Sequence, residues 1–99
     1  MKKESVTHLT GEGNYAWLHY SDGRKHITAQ TLKHLESVLP EYIRIHKSFL
    51  VNPAYIRKVK PFPHTLSGVV ILVNGTELPV SRRRWPQVED RLSRIRKGP

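Results

Sequence analysis

Six histidines, His8, His19, His26, His34, His46 and His64, are the side chains here best suited to metal binding or proton transfer. No two of them stand at the i, i+4 helical spacing of a zinc-binding pair. His34 has Glu36 close by, but residues two apart on a helix point to different faces. With no cysteine in the chain, disulfides, thiolate zinc sites and thiol catalysis are excluded. There is no GxSxG and no P-loop. Gly11-Glu12-Gly13 lacks the third glycine and the following helix of a dinucleotide fingerprint. The eight acids suggest no two-carboxylate site. The expectation is therefore no enzyme, no metal and no cofactor, with most histidines at surface or satisfied half-buried positions.

The basic side chains are more informative. Residues 1–41 hold five Lys and Arg against five acids, whereas residues 42–99 hold twelve against three, so the whole net charge of +9 lies in the second part. Such a density usually meets a polyanion, nucleic acid before an anionic membrane, the alternative being a solvated face that serves solubility. Two clusters stand out, Arg44-Ile45-His46-Lys47-Ser48 and Ser81-Arg82-Arg83-Arg84. Lys and Arg can neutralise phosphates, and an Arg can also donate bidentately to guanine O6 and N7. Ser48 or a backbone N–H adds phosphate hydrogen bonds.

These clusters need elements to hold them, and the hydrophobic pattern supplies candidates. Ser21-Asp22-Gly23 and Asn74-Gly75 are tight-turn signals, each between apolar or aromatic runs, and each predicts a β-hairpin. Tyr42–Ile45 and Ile56–Lys60 mix apolar and polar residues as half-buried strands do, and Ser5–Leu9 does so more weakly. Helical spacing over 28–39 puts Leu32, Leu35 and Leu39 on one face, with Thr28 as expected N-cap and Pro40 as stop. A terminal helix is expected from Pro86 to Lys97, with Val88, Leu92 and Ile95 inward. Glu89 and Asp90 near its start, and Arg94, Arg96 and Lys97 near its end, suit its dipole. Both basic clusters fall at junctions between elements. At 99 residues and 11.5 kDa, 37% hydrophobic and 25% charged, the chain reads as one soluble domain, 1–99, with its core over about 5–95. Its longest apolar run, Val69–Val73, is far short of the ~18 residues of a membrane span. No secretory signal follows the charged start, so the cytoplasm is the expected compartment.

Taken in order, the motifs are specific. Gly11-Glu12-Gly13-Asn14-Tyr15 precedes a strand, Thr31-Leu32-Lys33-His34-Leu35 lies in the internal helix, and Leu39-Pro40 closes it. Tyr42-Ile43-Arg44-Ile45-His46-Lys47-Ser48-Phe49-Leu50-Val51-Asn52 follows, then Ile56, Asn74-Gly75 and Leu78-Pro79-Val80-Ser81-Arg82-Arg83. From Thr7 to about Leu92 this series resembles the LytTR DNA-binding domain, the output module of a class of bacterial response regulators. The resemblance implies a mostly β fold of about ten short strands in three small sheets, with one short internal helix and a C-terminal helix. It implies sequence-specific binding to double-stranded DNA, with loops rather than a recognition helix entering successive major grooves, at direct repeats. Carried over by position, the base-reading residues are Asn14 or Tyr15, Lys47 and Arg83. His46, Ser48, Arg82 and Arg84 are the phosphate contacts expected beside them.

Arg44, Phe49, Val51 and Asn52 look like the framework of the Lys47 loop. Family members can carry His or Asn where this chain has Tyr15 and Lys47. Lys reads guanine as a point charge and Asn reads adenine, so the target sequence does not transfer. The resemblance also implies fusion to a receiver domain, for which these 99 residues leave no room, and it admits a dimer on DNA. The alternative from the residues alone is an RNA-binding β module using the basic C-terminal half. That reading asks for exposed aromatics on a sheet face. Alternation puts Tyr15 and Trp17 on one face and Tyr20 on the other, and core packing accounts for one of these faces.

Overall fold

The structure, a computed structural model, describes residues 6–97, with side chains to Ile95. Ser5 and the side chains of Arg96 and Lys97, which the expected first strand and terminal helix included, lie outside the described residues. The strands are β1 (Val6–Glu12), β2 (Tyr15–Tyr20), β3 (Lys25–Thr28), β4 (Ile43–His46), β5 (Phe49–Val51), β6 (Ile56–Pro61), β7 (Gly68–Leu72) and β8 (Glu77–Val80). Helix α1 (Leu32–Val38) separates β3 from β4, and α2 (Trp85–Lys97) follows β8. The strands form an antiparallel five-stranded sheet in the order β3-β2-β1-β5-β4 and a three-stranded sheet β6-β7-β8. The described residues thus hold eight strands in two sheets, rather than about ten in three. Strand β1 pairs with β2 on one side and β5 on the other, joining the β2–β3 and β4–β5 pairs into one sheet.

Both expected hairpins form. Gly23 and Gly75 turn them with φ of 93° and 92°, a left-handed conformation that a Cβ would disfavour. Helix α1 begins later than Thr28. That residue is still paired to Ala16 as the last residue of β3, so Thr31 caps the helix, its Oγ1 accepting from His34 N at 3.1 Å. Leu32 and Leu35 are buried and Leu39 packs beside them.

Strand β5 is the wall between two apolar clusters. Leu50 points into one with Leu9, Ala16, Leu32 and Leu35; Val51 points into the other with Ile43, Ile45, Val70, Leu72 and Trp85. Period-2 alternation along one strand thus serves both sides. Three register shifts, at Val6/His8, Arg44/His46 and Ile56/Lys58, mark β-bulges. They explain the imperfect alternation of the sequence. Val6 and Leu9, three apart, reach the same cluster across a bulge, and so do Ile56 and Val59.

In α2, Trp85, Val88 and Leu92 are buried, but Ile95 is 50% exposed because the last turn lies past the cluster. Glu89 and Asp90 sit in the second turn, where the helix dipole acts weakly. Asp90 pairs instead with Arg94 at 3.1 Å. The ring of Trp85 lies over Gly68, where a Cβ would collide with that ring and with the Lys60 carbonyl. The cluster around α2 therefore fixes the chain just beyond the second basic segment.

Candidate nucleic-acid interface

Three connections carry the expected contact residues, and backbone hydrogen bonds tie them together. Gly11 N donates to Ser48 O at 2.9 Å, joining the β1–β2 end to the β4–β5 turn. Ser81 N donates to Ile45 O, also at 2.9 Å, joining the start of the β8–α2 connection to β4. The sequence places these segments tens of residues apart, and the pairing of β1 with β5 brings the first two together.

Asn14 is exposed in the turn Gly13-Asn14, whereas Tyr15 is the first residue of β2, paired with Glu12. Tyr15 therefore belongs to a strand rather than to the loop, and its side chain is 53% exposed. Lys47 is exposed at the β4–β5 turn, with Ser48 half-buried beside it. Arg82 and Arg83 are exposed and Arg84 is half-buried in the turn before Trp85. Arg84 N donates to Ser81 O at 3.1 Å, and Arg84 O accepts from Val88 N at 3.0 Å, so this turn runs directly into α2.

His46 is the last residue of β4, half-buried against Phe49 with ring centroids 5.2 Å apart. Its Nδ1 accepts from Ser48 N at 3.1 Å. Desolvation, then the charges of Lys47, Arg84 and Arg44, hold its pKa below the ordinary histidine value. The neutral form is favoured, so His46 offers a hydrogen bond rather than a counter-charge. The same electrostatics place cations from two connections around one ring.

The Lys47 turn is held from inside. Arg44 Nε donates to His46 O at 2.8 Å and Nη2 to Lys47 O at 2.6 Å. Its Nη1 donates to Glu36 Oε1 of α1 at 2.7 Å. Asn52, buried at the far end of β5, donates from Nδ2 to Val6 O at 2.9 Å and caps the Pro53–Tyr55 turn by accepting from Ala54 N at 3.0 Å. Arg44 holds the Lys47 turn directly and Phe49 packs on His46, whereas Val51 lies in the core cluster and Asn52 secures the opposite end of β5 rather than the turn. Arg91 of α2 adds a tie, its guanidinium donating to Tyr42 O and Pro40 O at 3.2 Å each. Sequence reasoning missed Glu36, weighing it only against its neighbour His34. No periodicity links it to Arg44, eight residues on.

The remaining histidines divide as burial dictates. His8 and His19 stack with centroids 4.2 Å apart and 5° between planes, on the sheet face opposite Leu18 and Tyr20. His8 shares a 2.8 Å hydrogen bond with Thr7, and His19 a 3.0 Å one with Thr10. His26, His34 and His64 are exposed. Among the described residues, no three His, Cys, Asp or Glu side chains gather as a metal-binding group. Trp17 lies on the same face as His19, with Lys25 Nζ 4.9 Å from its ring centroid and its Nε1 donating to Glu12 at 3.3 Å. Among the described residues no helix is long and apolar enough to cross a membrane.

Comparison with known proteins decides the family: the LytTr DNA-binding domain model matches residues 1–93. The chain belongs to the LytTR DNA-binding domain family. A solved LytTr DNA-binding domain of a response regulator from Bacillus cereus superposes with a TM-score of 0.77 at 24% identity, over 90% of this chain and 81% of that one. The sensory transduction protein LytT of Bacillus subtilis is 38% identical over 56 residues, which are 54% of this chain and 23% of that protein. Its namesake from Enterococcus faecalis is 38% identical over 65 residues, 63% of this chain and 26% of that protein. This LytTR chain spans about a quarter of the length of those curated relatives. The expected fold class stands, with the strand count and the Thr28, Ile95 and Tyr15 placements corrected above.

Proposed function

We propose that this LytTR domain binds double-stranded DNA sequence-specifically as the output module of a bacterial transcriptional regulator. Its β1–β2, β4–β5 and β8–α2 connections enter successive major grooves, at direct repeats. Asn14, Tyr15, Lys47 and Arg83 read base edges; His46, Ser48, Arg82 and Arg84 contact phosphates. In the full regulator a receiver domain accompanies this module, and two copies occupy the repeat.

One observation carries this reading. The two short backbone ties, Gly11 to Ser48 and Ser81 to Ile45, hold the three connections on a common frame. Lys47, Arg82 and Arg83 are left exposed on it. Phosphate contacts give affinity and register, and base-edge contacts from the same frame give sequence preference.

The test is selection of bound duplexes from a random library, followed by titration at several salt concentrations. A repeated motif should be enriched. If about four to six phosphates are neutralised, log K should fall against log salt with a slope of roughly −4 to −5. RNA and anionic vesicles serve as competitors. Better competition by RNA than by duplex would favour the RNA-binding alternative, and displacement by vesicles alone would favour a membrane surface. A slope near zero would remove nucleic acid altogether.

A further inference from the structure

We propose that Glu36, acting through Arg44, is the positioning residue that sets the Lys47 turn and thereby the base preference of the domain. This rests on the DNA-reading function proposed for Lys47. The carboxylate lies on α1, an element that carries none of the contact residues. It is the acid that meets the basic frame, 2.7 Å from Arg44 Nη1. Charge alone gives it no place there. A carboxylate against Arg44, in a cleft shared with Arg84, opposes an approaching polyanion, and its removal on that basis should tighten every duplex alike.

Geometry supplies the other reason. A guanidinium is a planar fork of fixed donors, so satisfying three of them at once fixes its plane. Two donors of Arg44 go to consecutive carbonyls, of His46 and Lys47, at 2.8 and 2.6 Å. These carbonyls flank the Lys47 residue, and turning both inward sets the peptide planes from which its side chain departs. The third donor goes to Glu36, the anchor from outside the turn. The Arg44 side chain is only 11% exposed and Glu36 41%, so removing Glu36 leaves a largely buried guanidinium without its counter-charge, held by the two carbonyls alone. Without Glu36 the fork keeps its two carbonyls but loses its fixed plane. The turn then samples several arrangements, of which one suits a base edge.

The test compares the whole chain with Glu36→Ala and Glu36→Gln, on the duplex it selects and on a scrambled duplex of equal length. Glu36→Ala should lower the preference for the selected duplex by about five- to tenfold, within the range of one lost base contact. Affinity for the scrambled duplex should hold or rise slightly. Glu36→Gln keeps the acceptor oxygen and should recover most of the preference, although it removes the same charge. In a Lys47→Ala background, Glu36→Ala should cost no further preference. Equal tightening on both duplexes by both variants would make Glu36 an electrostatic element only and overturn the proposal. So would effects of Glu36→Ala and Lys47→Ala that simply multiply.

A second readout needs no DNA. Amide exchange at Ser48, which donates to His46 Nδ1, and at Gly11, which donates to Ser48 O, should quicken in Glu36→Ala while the melting transition stays cooperative. Unchanged exchange overturns the positioning role. A wild-type chain that binds all duplexes equally would overturn the DNA-reading function instead, and exchange would still report whether Glu36 sets the turn.

Discussion

The Lys47 turn and strand β6 carry cations of the same kind, yet the molecule treats them differently. The turn projects Lys47 from a backbone held by Arg44, Gly11 and the carboxylate of Glu36. Strand β6 presents Arg57, Lys58 and Lys60 along the edge of the three-stranded sheet, paired only to β7. Exposed Lys on an edge strand discourages pairing with another chain and needs no ligand to explain it. Positive charge by itself therefore does not distinguish a reading surface from a protected edge. The bonds behind the charge differ, and on the function proposed above a fixed departure point is what lets a side chain discriminate one base from another.

The harshest way to break this contrast is to remove the support shared by both regions. Trp85 is 5% exposed, directly after the arginine turn and against Gly68 at the start of β7. Trp85→Ala should cost about 3–5 kcal/mol, read as a lower denaturant midpoint. An unchanged midpoint with lost DNA binding would instead make Trp85 a contact residue.

Acid should separate the sheet from the loops. Burial, then the neighbouring His19, pushes the His8 pKa down to about 4. The unfolded chain binds that proton near pH 6.5 and the folded one does not. Stability should therefore be full above about pH 6.5, fall progressively towards pH 4 and level off below, by up to about 3 kcal/mol from this group. Denaturant titrations from pH 4 to 7 should show this loss, and His8→Gln should flatten it. His19, lowered by burial and by Lys25, adds in the same direction. His46, at the loop end of β4, is lowered as well, and its protonation adds a cation beside Lys47 and Arg84.

The contrast itself is sharpened by three single alanines. Lys47→Ala and Arg83→Ala should each blur the selected motif at a separate position, costing about 1–3 kcal/mol for a lost bidentate Arg–guanine pair and less for Lys. Lys58→Ala should leave the motif sharp. If it touches phosphate at all, it should weaken every sequence equally and flatten the salt slope by about one unit. Repeat selection on each variant, with titrations at two salt concentrations, measures both. An Arg83→Ala chain that selects the same motif would reduce the arginine turn to an electrostatic patch.

Much of the frame was legible because it is local. Asp22-Gly23 and Asn74-Gly75 announce their hairpins, Pro40 stops α1, and Val88 and Leu92 repeat at helical spacing. The candidate contact residues were legible as basic clusters at junctions, and through the family's ordered motifs. The misplacements came where pairing overrode local preference. Thr28 is drawn into β3 by Ala16, and Ile95 lies one turn past the cluster it was expected to join.

The sequence by itself determined the kinds of element and pointed to a polyanionic partner, since charge, turn chemistry and hydrophobic period are properties of short stretches. Only the tertiary structure decided where the stretches meet. It inserted bulges that put Val6 with Leu9 and Ile56 with Val59, and it made β5 the wall of two clusters. It stacked His8 on His19, and it turned Glu36 towards Arg44. Each of these depends on strand register and on one side chain crossing between elements. Register is settled by the sum of packing over the whole sheet, and no local pattern contains that sum.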